Sequence, residues 1–134
     1  MTKLLTPDIC VIGAGAGGLA VAAGAAAFGS PVVLVEKGPM GGDRLGRVRS
    51  TALIAAADLA AKMRGAGRFG IASAEPDIDF RAVQRHVRSA VAAIAPNASA
   101  ARLGAMGVQV IAAEASFRDR RTVLAGDFEI RARR

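Results

Sequence analysis

The chain has 134 residues, of which 52% are hydrophobic and 22% are charged, and its net charge at pH 7 is +7. This length allows one modest core, and this composition excludes a disordered chain. The positive charge raises nucleic-acid binding as a function, but the chain has no Trp or Tyr to stack on bases, so we expect no specific nucleic-acid recognition. The uncharged run 9–35 is broken by glycines and Pro31 and has no secretory pattern, which predicts no membrane span and a cytoplasmic location.

The first third of the chain reads as strand, helix and strand. A short apolar run at 9–12 predicts a strand, and an alanine-rich run through Phe28 predicts a helix. The Gly29-Ser30-Pro31 segment ends this helix, and the apolar run 32–35 predicts a second strand.

A GxGxxG motif joins the first strand to the helix. Its glycines are Gly13, Gly15 and Gly18, and the acidic Glu36 follows Gly13 by 23 residues at the end of the second strand. In such motifs the first glycine permits the tight turn, the second lets the backbone approach a pyrophosphate, and the third lets helix and strand pack closely. The N-terminus of the helix favours the phosphates, and the carboxylate meets ribose hydroxyls. This context predicts a dinucleotide-binding site rather than a glycine-rich turn without a ligand.

The rest of the chain continues as alternating helices and strands. The predicted elements are a helix over 52–64, a loop over 65–77, a helix over 79–95, a third strand over 108–111 and a β-meander over 115–133. Together with the first third, they predict an α/β fold, a partial Rossmann-like domain with a doubly wound, mainly parallel sheet, a helical excursion and a C-terminal β-meander. The first strand is expected to have an open edge, which invites aggregation or pairing with another chain.

Several of these segments resemble a known family in combination. The stretches 36–43, 52–57, 79–88 and 103–111 are similar to the N-terminal, FAD-binding region of flavin-dependent pyridine nucleotide-disulfide oxidoreductases, and most similar to the dihydrolipoamide dehydrogenase and mercuric reductase branch. The resemblance covers nearly the whole chain. It implies one incomplete FAD-binding domain over 1–134, with a nucleotide-binding βαβ unit at 1–42, a helical excursion at 52–98, and the third strand with the meander at 108–134.

The resemblance also implies a set of FAD-binding residues. Those facing the pyrophosphate would lie in the glycine turn and in the later Gly-Gly turn, Glu36 would hold the adenosine ribose, Lys37 would lie at the adenine end, and Ala115 would contact adenine through its backbone. Asp43 matches a threonine or aspartate of the family. The complete set is Gly13, Ala14, Gly15, Gly18, Glu36, Lys37, Gly41, Gly42, Asp43 and Ala115.

One departure from the family concerns its redox disulfide. Family members carry a C-x4-C pair in the helix after the Gly-Gly turn, where this chain has Arg44 and Arg47. We interpret these arginines as exposed, with phosphate contacts as the alternative. The chain's single cysteine, Cys10, lies in the first apolar strand and is expected to be structural, and we expect neither a metal site nor a catalytic role for the single histidine, His86.

The resemblance also leaves the enzyme question open. The family's NAD(P) domain and dimer-interface domain have no counterpart in these 134 residues, so we expect an FAD-binding portion that is not catalytic alone. A dinucleotide-binding or interaction module completed by a second polypeptide, or joined in a homodimer, is an alternative. A small flavin-dependent enzyme with another electron acceptor is a third hypothesis.

Overall fold

The computed structural model describes residues 2–134, apart from the side chain of Arg44. The described chain divides into two compact units, one formed by residues 2–44 and 95–134 and the other by residues 45–94. No helix within residues 2–134 has the length and apolar character needed to cross a bilayer. The helices and strands in chain order are β1 (Lys3–Leu5), β2 (Ile9–Ile12), α1 (Ala16–Ala27), β3 (Val32–Glu36), α2 (Asp43–Arg64), α3 (Phe80–Ile94), α4 (Ala100–Ala105), β4 (Val108–Ala112), β5 (Ala115–Asp119), β6 (Thr122–Ala125) and β7 (Phe128–Ile130), with 3-10 turns at Ala66–Phe69 and Ala95–Ala98.

A three-stranded parallel sheet organises the first unit. Its strand order is β2-β3-β4, with Ile9 opposite Val32 and Val32 opposite Val108. All four residues from Val32 to Val35 are buried, which is typical of a central parallel strand covered on both faces. The predicted α/β fold with a parallel, partial Rossmann-like sheet is therefore confirmed.

A second sheet in the same unit contains the predicted meander. Strands β5, β6 and β7 pair antiparallel in sequence order, and β1 adds to β7 in parallel, giving the order β1-β7-β6-β5. Strand β1 has no signal in the sequence, because three residues are too few to show an alternating pattern.

Two apolar clusters fill the first unit, and alternate residues of β3 divide between them. Val32 and Leu34 pack with Leu19 of α1 and Leu103 of α4. On the other face, the side chains of Val33 and Val35 pack with buried residues of β4, β6 and β7, namely Ile111, Val123, Ala125 and Ile130. This alternation follows from the two-residue period of a strand, which places successive side chains on opposite faces of the sheet.

The outer edge of β2 is partly occupied by the last residues of the chain. The amide of Arg134 donates to the carbonyl of Asp8 at 3.0 Å, and the amide of Cys10 donates to the carbonyl of Arg134 at 2.9 Å. The edge that the sequence predicted to be open is therefore covered up to Cys10, whereas Ile12 is 49% exposed.

Helices form the second unit. Helix α2 begins at Asp43, nine positions before the predicted start at 52, because no proline interrupts this stretch and Asp43 supplies an acidic first turn. The apolar residues of this helix are only partly buried. Ala52 and Ala60 are buried, but Leu53 is 41% and Ile54 is 58% exposed.

Candidate dinucleotide-binding site

The candidate site lies at the carboxyl ends of β2, β3 and β4, which meet at one edge of the sheet. A cavity of about 190 Å³ opens there. In an open parallel α/β sheet, ligands bind in the crevice outside the carboxyl ends of the strands. The cavity is lined by Ile12, Gly13, Val35, Glu36, Lys37, Ala113, Glu114 and Ala115.

The three glycines of the GxGxxG motif differ in what the fold requires of them. Gly13 has a φ of +96°, a backbone conformation that L side chains rarely adopt. At Gly18, a Cβ would lie 1.9 Å from the carbonyl oxygen of Gly13, so only glycine lets α1 pack this closely on the turn. At Gly15, φ is −71° and a Cβ would meet no protein atom within 4 Å. Neither backbone conformation nor internal packing therefore requires glycine at position 15.

Glu36 lies beside this turn at the end of β3. Its carboxylate accepts a hydrogen bond from the amide of Ala14 and another from the amide of Gly38, the second at 2.7 Å. These bonds, first the one from Ala14 and then the one from Gly38, lower the pKa of Glu36 below its ordinary value. The carboxylate is therefore ionised at neutral pH and is held next to the glycine turn.

The later Gly-Gly turn packs against the same glycine turn. The amide of Gly41 donates to the carbonyl of Ala14 at 3.0 Å, and a Cβ on Gly42 would lie 3.8 Å from the Cα of Gly15. Both residues have positive φ values, +93° for Gly41 and +45° for Gly42. Asp43 follows directly as the first residue of α2, and its side chain is exposed.

An ion pair joins two walls of the cavity. The Nζ atom of Lys37, just after β3, lies 3.1 Å from Oε1 of Glu114, just before β5. The two backbone segments are also linked, because the amide of Ala113 donates to the carbonyl of Glu36 at 3.1 Å. Glu114 is not among the predicted site residues, although its position directly before Ala115 is a usable signal.

The structure thus brings most of the predicted residues to one place. Gly13, Glu36, Lys37 and Ala115 line the cavity, and the two glycine turns lie against each other beside it. Gly18 acts from behind the turn through packing. The roles of all these residues toward a ligand remain predictions.

The other residues considered from sequence do not line this cavity. The thiol of Cys10 is half-buried in β2, and burial raises its pKa, so it is protonated at neutral pH. Arg47 and His86 are exposed side chains of the second unit. The side chain of Arg44 lies outside the described part of the structure.

The start of helix α1 forms a further part of the candidate site. Helix α1 begins beside the cavity with Gly15 as its N-cap, and it has no side-chain cap and no acidic residue in its first turn. Its first amides are therefore suited to an anion, and the open space at Gly15 leaves room for the anion to approach. Glu36 supplies acceptors for hydroxyl groups. The fold is that of a partial Rossmann-like α/β domain, with the candidate site at the carboxyl ends of its parallel strands.

The chain is similar to a mercuric reductase and to dihydrolipoyl dehydrogenases, although no protein-family model matches it. A mercuric reductase from Streptomyces lividans is 44% identical over 79 residues, which are 57% of this chain and 17% of that protein. A dihydrolipoyl dehydrogenase from Geobacillus stearothermophilus is 36% identical over 118 residues, which are 87% of this chain and 25% of that protein. A dihydrolipoyl dehydrogenase from Chlamydia muridarum is 43% identical over 81 residues, which are 58% of this chain and 17% of that protein.

The chain spans a quarter or less of the length of these relatives. Their names are those of the two branches that the sequence resembled. The predicted resemblance to a partial region of the pyridine nucleotide-disulfide oxidoreductases is therefore confirmed.

Proposed function

We propose that this chain binds the ADP portion of FAD and serves as the FAD-binding region of a flavin-dependent oxidoreductase. The observation that carries the proposal is Gly15. The fold places a glycine at the N-terminus of α1 where neither φ nor packing requires one, so a ligand in the adjacent space explains it. Similarity to the named reductase and dehydrogenases supports FAD as the dinucleotide.

Each part of the site has a separate task in this proposal. The first amides of α1 donate to the pyrophosphate, and the removal of a side chain at Gly15 lets phosphate oxygens come close. The turn at Gly41 and Gly42 closes the phosphate side of the site. Glu36, which is ionised and accepts from the amide of Ala14 in the turn after β2, also accepts hydrogen bonds from the ribose hydroxyls in this proposal.

When bound, FAD supplies two-electron redox chemistry. The side chains of this chain bind and orient the cofactor, and we assign none of them a catalytic role. The chain's one cysteine cannot form the internal redox disulfide of the resembled family. We therefore propose that any electron transfer involving this chain proceeds without a dithiol from these 134 residues.

The proposal is tested by titrating the 134-residue chain with FAD, following flavin fluorescence, and with ADP by calorimetry. We expect both ligands to bind, and we expect Glu36→Lys to weaken both at least about tenfold, because it removes the acceptor of two ribose hydroxyls. Glu75→Gln is the matched control. It alters an exposed glutamate of the second unit that pairs with Arg64, so both affinities should stay at the wild-type value. Equal binding by wild type and Glu36→Lys would contradict the assignment of the site.

A second candidate is a dinucleotide-binding module that pairs with another polypeptide through the outer edge of β2. The amide of Gly13 donates to Val35 of β3, so the amide of Ile12 points away from β3 by the alternation of strand groups. Ile12 is also 49% exposed. Amide hydrogen exchange tests this candidate, because a strand added from another polypeptide protects the Ile12 amide. Fast exchange of this amide in both the purified chain and the chain mixed with cell extract argues against the candidate.

A further inference from the structure

The ion pair between Lys37 and Glu114 lies at the cavity outside the carboxyl ends of β2, β3 and β4, where the proposed function places the adenosine. Both residues line this cavity, and the distance from Nζ to Oε1 is 3.1 Å. The side chains are 71% and 75% exposed, so the pair contributes little to the stability of the fold. An explanation for its position is better sought in the ligand than in folding.

The charges around the cavity set what its occupant can carry. Besides Glu36, Lys37 and Glu114, the lining residues are uncharged, so two carboxylates face one ammonium group. In dinucleotide sites a carboxylate at the end of the second strand binds the ribose 2′-hydroxyl, whereas a neighbouring cation accommodates a 2′-phosphate. Lys37 is such a neighbouring cation, one residue after Glu36. Its charge is taken up by Glu114.

We propose that Glu114 is a specificity-determining residue, which pairs with Lys37 and thereby excludes dinucleotides that carry a 2′-phosphate on the adenosine. This inference rests on the proposed function, because it assigns a selectivity to the same cavity. Glu36 repels a 2′-phosphate directly, and Glu114 withholds the one cation that would compensate for it. The site then accepts the adenosine of FAD and rejects that of NADP(H).

The test uses ADP-ribose and its 2′-phosphorylated form, because the two probes differ only in that phosphate. Calorimetry gives the ratio of their dissociation constants for wild type and for Glu114→Gln. Wild type is expected to prefer ADP-ribose. Glu114→Gln is expected to reduce this preference for ADP-ribose about fivefold, because it frees the ammonium of Lys37 to bind the 2′-phosphate. The exposed position of Glu114 makes loss of folding an unimportant complication.

Two further variants make the result specific. The double variant Lys37→Met with Glu114→Gln should return the ratio of dissociation constants toward the wild-type value, because it removes the ammonium group that would bind the 2′-phosphate. Glu75→Gln removes a carboxylate from an ion pair outside this cavity and should leave the ratio unchanged. An unchanged ratio in Glu114→Gln, with ADP-ribose still bound, would overturn the selectivity and leave the proposed function standing. No binding of ADP-ribose by wild type would overturn both.

Discussion

Gly18 provides a sharp test of the close contact between α1 and the glycine turn. In Gly18→Ala, the new methyl carbon would lie 1.9 Å from the carbonyl oxygen of Gly13, 3.1 Å from its carbonyl carbon and 3.2 Å from Cγ1 of Val11. The first contact is about 1 Å shorter than a methyl carbon tolerates, and it is with backbone, which cannot rotate away. Overpacking of this kind costs about 1–3 kcal/mol, and the severity of this contact places it near the upper end.

The same substitution also has a favourable contribution. Alanine is more stable than glycine inside a helix by about 0.5–1 kcal/mol, so the expected net loss is about 2 kcal/mol. With a urea m-value of about 2 kcal/mol/M, the midpoint of unfolding should fall by about 1 M. Circular dichroism of urea-treated samples measures this shift.

Gly24→Ala is the matched control for this measurement. Gly24 lies in the same helix, is exposed, and would place its Cβ where no atom lies within 4 Å. This variant should gain about 0.5–1 kcal/mol from helix propensity alone. The two substitutions are therefore expected to have opposite signs. If Gly18→Ala proved as stable as Gly24→Ala, the close packing of α1 on the turn would be refuted.

Three further predictions address the core, a helix cap and pH. Leu34→Ala, at a fully buried position, should lower the free energy of unfolding by about 2–5 kcal/mol. Leu4→Ala, at a residue that is 56% exposed, should change it by less than about 1 kcal/mol. Similar losses for the two variants in urea titrations would contradict the assigned core. Asp79→Ala should lower the free energy of unfolding by about 1 kcal/mol, because the Asp79 carboxylate caps α3 by accepting from the amides of Arg81 and Ala82. Asp79→Asn should retain most of that stability. Equal losses for the two variants in thermal unfolding would argue against the cap. The hydrogen bonds to the Glu36 carboxylate lower its pKa, so their contribution to stability is present above the ordinary glutamate pKa of about 4.3 and is lost as pH falls through the lowered value. The affinity for FAD should therefore stay level from pH 8 to 5. A midpoint for the loss of FAD binding above pH 5 in fluorescence titrations would disprove this role of Glu36.

The sequence predicted those parts of the fold that local patterns encode. The uninterrupted apolar run at Val32 to Val35 predicted a strand, and the structure has β3 there with all four residues buried. Glycine and proline positions marked the turn after β2 and the end of α1. The glycine motif and Glu36 also predicted which strand ends meet, because parallel strands bring their carboxyl ends to one edge.

The parts that the sequence did not predict depend on contacts between distant residues. Strand β1 is only three residues long and exists because it pairs with β7, 125 positions away at the register of Lys3 and Phe128. Glu114 belongs to the site because the connection from β4 to β5 lies against the end of β3, where Ala113 donates to Glu36 and Glu114 pairs with Lys37. The exposure of Leu53 and Ile54 likewise depends on what packs against α2, since an apolar stripe gives only the face of the helix.

The central claim is that the open space at Gly15 is the place of a dinucleotide pyrophosphate. Gly15→Val tests it most directly, because a Cβ there would meet no protein atom within 4 Å and φ is −71°, a value that residues with side chains adopt readily. FAD and ADP titrations of this variant should show at least about tenfold weaker binding than wild type, while the midpoint of thermal unfolding without ligand stays within a few degrees. Undiminished binding of both ligands by a folded Gly15→Val protein would contradict the account.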